Sequence, residues 1–415
     1  MSEINIQMQR VRMKFPQTPI DDLESHLRTN LENDLPITAG EKVYLAVGSR
    51  GIAQLPIMVR TTVDYIKAAG GHPTIIPAMG SHGGGSSEGQ RNLLEGHGIS
   101  EESMGCPVNA DIESECIATL KSGMPLYMAK TVHQADKLVI INRIKPHTDF
   151  KGRYASGLMK MLAIGLGKHS GAVQFHNTPF EDFPQKLEEA YGLFVDLLPK
   201  FYGVGIIENA IKQVHSCEVI DGSDFSKKEI DMLIEADSRM ARLPITKADI
   251  LLIEELGKEF SGSGMDPNIT GRSASLWDFA EPDYLRIAVL ALSEKTKGNA
   301  TGIGCADLIT KKLSEQFDKQ YTWTNAITAS NYRCAALPIY MDTEHEVMEK
   351  LVDTVYKPNP DDVTIVQIPN TSLLEEIAIT TNLIDQLGKI PFELIGEPYT
   401  MSFSDDGLIE QRLRK

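Results

Sequence analysis

The feature that most narrows what this chain can fold into is an alternation near its start. EKVYLAVGSRG reads as a strand ending at Gly48, and a helix-like stretch runs from Leu55 to Ala69. PTIIPAMG then reads as a second strand, and SHGGGSSEG leads into the helical QRNLLEGHG. Strand, helix, strand, helix at this spacing implies a parallel sheet with crossover helices. Such a sheet gathers the carboxyl ends of its strands along one edge, and ligands bind in the crevice beyond that edge. Arg50 and His82 therefore fall on loops at one edge of the same sheet.

A chain of 415 residues exceeds one ordinary core. The expectation is two α/β domains with mainly parallel sheets and crossover helices, with the active site in the cleft between them. The expected bounds are 1–244 for a cofactor-binding domain, 245–390 for a second α/β domain, and 391–415 for a tail packing back on the first. A helical pattern runs from Phe180 to Leu198, and another at 226–244, ending at Pro244, bridges the domains. ADILLIEEL opens the second domain as a strand. Helices are expected near 282–296, 305–318, 343–355 and 371–388, with strands at RCAALPIYM and DDVTIVQIP.

Composition excludes several classes. The chain has no apolar run near the roughly 18 residues that a membrane span requires, and MSEINIQMQRVRMKF lacks the apolar core of a secretory peptide. A cytoplasmic protein is expected. Its five cysteines, Cys106, Cys116, Cys217, Cys305 and Cys334, are scattered without a CxxC pair and read as idle thiols in a reducing compartment. A formal charge of -16 argues against a nucleic-acid partner.

Against that acidic background, residues 144–176 stand apart: IKPHTDFKGRYASGLMKMLAIGLGKHSGAVQFH. The preceding KLVIINRIK is a strand-like run that breaks at Pro146. Between Arg143 and Lys168 there are six Lys/Arg and one acidic residue, Asp149, a local charge of +5 that favours an anionic ligand. Gly165, Gly167 and Gly171 beside Lys168 would let backbone N–H groups approach a phosphate, although Walker and dinucleotide spacings are both missed. His82 sits in GSHGGG, where glycines leave its imidazole open. The same loop holds a literal HGGG and G-x-S-x-G, but in a hydrolase those elements belong on separate loops and here they overlap, so Ser86 or Ser87 reads as a helix N-cap. His133 reads as a surface residue.

A histidine after a strand (His147), Ser156-Gly157 leading to Lys160, and His176 sixteen residues on resemble the lactate racemase family, nickel-dependent 2-hydroxyacid racemases and epimerases. The resemblance implies a nickel pincer nucleotide (nickel pyridinium-3,5-bisthiocarboxylic acid mononucleotide). It would be joined through a thioamide to Lys160, near Ser156, Gly157 and Lys168, with His176 as nickel ligand. It further implies His82 and His147 as acid/base groups, and Arg50 and Lys258 as holders of the substrate carboxylate. Asn268 and Arg272, on a polar loop with Gly262, Gly264 and Asp266, are candidates for the substrate's distal end. The implied partners are a small anionic hydroxyacid and the enzymes that make the cofactor, with neither nucleic acid nor membrane.

The chemistry explains the set. Pulling the α-proton from a 2-hydroxyacid is hard because the adjacent carboxylate resists a carbanion; removing a hydride gives a planar 2-keto acid instead. Each face then needs a base for the hydroxyl proton, which two histidines can supply. This chain departs from the family in its first loop, Val47-Gly48-Ser49-Arg50-Gly51 where T-R-P is usual, and in KGRYA inserted before Ser156-Gly157. The longer loop suggests a hydroxyacid larger or more polar than lactate. Two other classes stay open: a binding protein for an anionic metabolite without catalysis, and a zinc-type hydrolase using His147, His169 and His176, for which no HExxH motif exists.

Overall fold

The computed structural model describes residues 5–148, 150–179, 181–275, 277–388 and 390–413. Asp149, Phe180 and the extreme ends of the chain, all used in the sequence reading, lie outside the described residues. The chain divides into two compact units. One comprises Gln17–His147 and Gly152–Met240, the other Met1–Pro16, Thr148–Lys151 and Ala241–Lys415. This differs from the expected bounds at both ends of the chain, because strand β1 (Gln7–Met13) belongs with the C-terminal residues.

The first unit holds β2 (Lys42–Val47), β3 (His72–Pro77), β4 (Ser114–Thr119), β5 (Pro125–Ala129), β6 (Lys137–Arg143), β7 (Lys200–Glu208) and β8 (Val214–Asp221). Its sheet runs β3-β2-β6-β7-β8, with the first four strands parallel and β8 antiparallel at the edge; β4 and β5 form a separate hairpin. Strand β6 lies inside the sheet, and Leu138, Val139, Ile140 and Ile141 are all 0% exposed. That is why its sequence is a continuous apolar run rather than an alternating one. The helix Leu55–Ala68 turns Met58, Val59, Val63 and Ile66 inward at helical spacing, against Val43, Leu45 and Ile75. Each such buried aliphatic side chain contributes roughly 1.5–3 kcal/mol relative to exposure. The helix Leu23–Asp34 joins the same core and is capped by Asp22, which accepts from Ser25 N at 3.0 Å.

The second unit adds β9 (Lys247–Leu256), β10 (Asp283–Leu292), β11 (Leu308–Thr310), β12 (Ile339–Met341), β13 (Ile365–Ile368), β14 (Glu376–Thr380) and β15 (Phe392–Thr400). The sheet order is β12-β11-β10-β9-β13-β14-β1-β15, parallel from β12 to β13 and antiparallel from there to β15. Of the helix expectations here, 282–296 fails and two others hold only in part. Residues 282–296 form β10, an interior strand whose Ile287, Ala288, Val289 and Leu290 are all buried, so period-2 alternation is lost and the run mimics a buried helix. Residues 305–318 divide into β11 and the helix Lys311–Gln316, and 371–388 into β14 and a 3-10 segment, Thr381–Gln386. RCAALPIYM yields a strand only at Ile339–Met341, after a 3-10 turn at Tyr332–Ala335.

The tail meets the N-terminal strand β1, which lies in the second unit and not the first. Residues 392–413 are built into the second unit: β15 pairs with β1, Ile409 N donates to Glu344 Oε2 (2.8 Å), and Leu413 N donates to Glu254 Oε1 (2.8 Å). Glu254 and Glu344 are buried carboxylates, and Gln367 and Arg412 respectively supply further donors to them. Removing one partner of a buried ion pair leaves an uncompensated charge. Among the described residues no helix is long and apolar enough to cross a membrane. Arg412→Ala is expected to destabilise the second unit by about 2–3 kcal/mol in urea unfolding, because Glu344 loses its counter-ion; an unchanged midpoint would refute the role given to this pair.

Candidate functional site

Because β3, β2, β6 and β7 are parallel, the loops after all four open on one edge of the first unit's sheet. The loop after β2 carries Ser49 and Arg50, the loop after β3 carries His82, β6 leads to His147, and β7 ends at Glu208. His82 is exposed, and its Nδ1 shares a hydrogen bond with Ser49 Oγ. His97 Nε2 donates to the Ser49 carbonyl (2.9 Å), and Gln90 Nε2 donates to the carbonyls of Gly80 (3.0 Å) and His82 (3.3 Å). The loop closes tightly: Gly83 has φ +65, and a Cβ there would lie 2.6 Å from the Gly89 carbonyl carbon. Neither Ser49 nor His97 was singled out from sequence, since a serine and a histidine in loops carry no pattern.

Arg50 reaches solvent, and among the described residues no carboxylate pairs with it. Crowding by protein, then the nearby Arg143 guanidinium, lower its pKa. Arg143 itself pairs with Glu208, whose Oε1 accepts Ala53 N (2.7 Å) and so ties the β2 loop to the end of β7. An unpaired guanidinium beside a second one is what an anionic ligand requires.

The central stretch returns to the end of β6 after a loop. Lys145 and Ser156 close that loop with two backbone bonds (2.9 and 3.2 Å), and Asn142 Nδ2 holds the Gly157 carbonyl (2.9 Å). A helical turn, Leu158–Lys160, follows directly and runs on through Met161–Gly165. It brings Lys160 Nζ to 2.8 Å from His147 Nε2. Phe183 shares the place: its ring centroid is 6.0 Å from Lys160 Nζ and 6.5 Å from the His147 ring, and 5.8 Å from Phe175. His176, next to Phe175, ends the helix Lys168–His176.

Electrostatics couples the three. Desolvation, then Lys160, Lys145 and His176, hold His147 well below the usual imidazole range. Desolvation and then Lys160 push His176 down to about 4. Both imidazoles are therefore neutral at neutral pH, with ring nitrogens able to accept a proton or a metal. Among the described residues no three His, Cys, Asp or Glu side chains converge on a metal position, so His147, His169 and His176 do not form the three-ligand set of a zinc hydrolase.

Other expected site residues take different positions. Lys168 is buried and donates to the Pro77 carbonyl (2.8 Å), with burial pushing its pKa down to about 8. Its ammonium props the end of β3, which corrects the expected phosphate contact. In the second unit, Lys258 Nζ donates to Asn325 Oδ1 (3.0 Å). Arg272 is spent on structure: it donates to Asp307 (2.7 Å) and to the carbonyls of Cys305, Tyr284 and Leu285. Asn268 is 2% exposed and donates to Asp266 Oδ1. These two hold the polar loop together, and the expectation that they reach a substrate is withdrawn.

Residues 46–240 match the family described as a domain of unknown function (DUF362). No curated protein sequence matches the chain. Among solved structures, the lactate racemase apoprotein of Thermoanaerobacterium thermosaccharolyticum is similar, with TM-score 0.52 and 14% identity over 87% of this chain and 99% of that one. A structural-genomics protein from Thermotoga maritima is similar with TM-score 0.50 and 12% identity, over 78% of this chain and 84% of that one. At these identities the likeness is one of fold: two mixed, mainly parallel α/β sheets with interleaved helices, the fold class expected from sequence. The coupling of Lys160 to His147 is measurable without any ligand. Lys160→Met removes the positive charge, so the midpoint of the His147 titration followed by NMR is expected to rise; an unchanged midpoint would contradict the observed contact.

Proposed function

We propose that the chain is a racemase or epimerase of a 2-hydroxyacid, working by reversible hydride transfer with a nickel pincer nucleotide held on Lys160. The observation that carries this reading is the convergence of Lys160, His147 and His176, with Nζ and Nε2 2.8 Å apart. The residues fit the group: Lys160 offers a primary amine for a thioamide link, and His176 offers a neutral imidazole nitrogen, a donor suited to nickel. When bound, the cofactor supplies a hydride acceptor, so that the substrate passes through a planar 2-keto acid.

The chain's own residues supply the rest. Arg50 would take the substrate carboxylate with two parallel hydrogen bonds, fixing its orientation. His147 would accept the hydroxyl proton, and its neutral state at neutral pH suits it to do so. A thioamide at Lys160 would lack the ammonium charge that lowers the His147 pKa, so His147 would then be a stronger base. His82, oriented by Ser49, would serve as the second proton carrier. The same cationic edge would also serve a protein that binds an anionic metabolite without turnover.

The test uses protein produced together with the cofactor-making enzymes and a panel of enantiopure 2-hydroxyacids in deuterated water. Racemisation of at least one acid with its α-hydrogen retained is expected, whereas deuterium at the α-carbon would indicate proton abstraction and overturn the mechanism. No racemisation of any acid, with binding intact, would favour the binder. His147→Gln and His82→Gln are expected to lower turnover by about 10²–10⁴-fold.

A further inference from the structure

We propose that Glu229 is the positioning residue for Lys160, fixing the helical turn from which the lysine projects; the functional meaning of this rests on the reading of Lys160 given above. The helix Phe225–Arg239 buries Phe225, Glu229, Met232 and Ala236, which fall on one face at helical spacing. Three of the four are apolar; the fourth is a carboxylate, 1% exposed. Among the described residues it does not pair with a cation. Its Oε2 accepts Met159 N at 2.9 Å, the Leu158 amide also favours its charged form, and among the described residues Oε1 has no hydrogen-bond partner. The two amides belong to the residues immediately before Lys160.

The approach is possible only because residue 157 is glycine. A Cβ there would lie 2.5 Å from both Cδ and Oε1 of Glu229. The Ser156-Gly157 pair before the lysine thus has a steric reason: it admits a carboxylate from another helix to the start of the turn. The turn is gripped from both sides, since Asn142 holds the Gly157 carbonyl while Glu229 holds the Met159 amide. Tyr154 strengthens the same seat, its one hydroxyl proton shared between Glu188 (3.1 Å) and the Ser226 carbonyl (3.2 Å), so the loop entering the turn is anchored to the helix that carries Glu229.

Burial pushes the Glu229 carboxyl up to about 7, opposed by the Met159 and Leu158 amides. A proton on the unpartnered Oε1 leaves Oε2 free to accept from Met159. A glutamine, with its oxygen at Oε2 and its amide nitrogen at Oε1, preserves that acceptor; an alanine removes it; and an alanine at 157 displaces it.

The full chain without cofactor is labelled with trace acetic anhydride, and the rate at Lys160 is read by peptide mass spectrometry. Lys121 and Lys319 serve as internal standards, and urea unfolding is followed in parallel. In folded Glu229→Ala and Gly157→Ala, the Lys160 rate relative to the standards is expected to change by about fivefold or more, since small displacements alter reactivity strongly. Glu229→Gln is expected to restore the wild-type rate. A folded Glu229→Ala with an unchanged Lys160 rate overturns the proposal, as does a Glu229→Gln that behaves like the alanine. Should the alanine not fold, Glu229→Asp, whose carboxylate is withdrawn by one methylene, is read in the same way. Because no cofactor is present, a positioned Lys160 that never carries a nickel group would defeat the functional reading alone.

Discussion

Two basic side chains 2.8 Å apart in a partly desolvated setting cannot both hold a proton. In this chain they are Lys160 and His147, and much of the first unit is arranged to keep them there. The parallel order β3-β2-β6-β7 sets the end of β6 among three other strand ends. The backbone bridge between Lys145 and Ser156 returns the chain to that end, and helix-borne Phe183 packs beside both groups. The result is a neutral imidazole beside an amine, with a second neutral imidazole, His176, in electrostatic reach. Such a set is poorly explained as core packing, since each group would be better solvated elsewhere.

The same economy separates the residues that serve the site from those that serve the scaffold. Arg50 and Arg272 are both loop arginines, yet Arg272 has its guanidinium filled by a carboxylate and three carbonyls, while among the described residues no carboxylate pairs with Arg50, which lies near the Arg143 guanidinium. Lys160 and Lys168 lie eight residues apart in one run, yet Lys168 is buried against the Pro77 carbonyl. Residue type was alike in each pair. The partner decides.

That contrast marks what could be read in the sequence. Strands β2, β3 and β6 were legible because alternation with helices fixes a parallel sheet, and His82, His147, Lys160 and His176 were singled out because a resemblance carried them. Strand β10 was not, because a strand buried on both faces has the pattern of a buried helix. Strand β1 was not, because its partners β14 and β15 lie more than 360 residues away and no local signal announces so distant a pairing. Glu229 left a trace that went unread: an acidic residue on the apolar face of 226–244. Phe183 and Ser49 left none, since their roles depend on neighbours that only the fold supplies.

The central claim is that Lys160 is an attachment point and not merely a half-buried cation. The most direct measurement is the mass of the peptide containing Lys160, together with nickel content, in protein produced alongside the cofactor-making enzymes. The account predicts an adduct on Lys160 and stoichiometric nickel. Unmodified Lys160 and no nickel, in a host where a lactate racemase made in parallel is fully loaded, would contradict it.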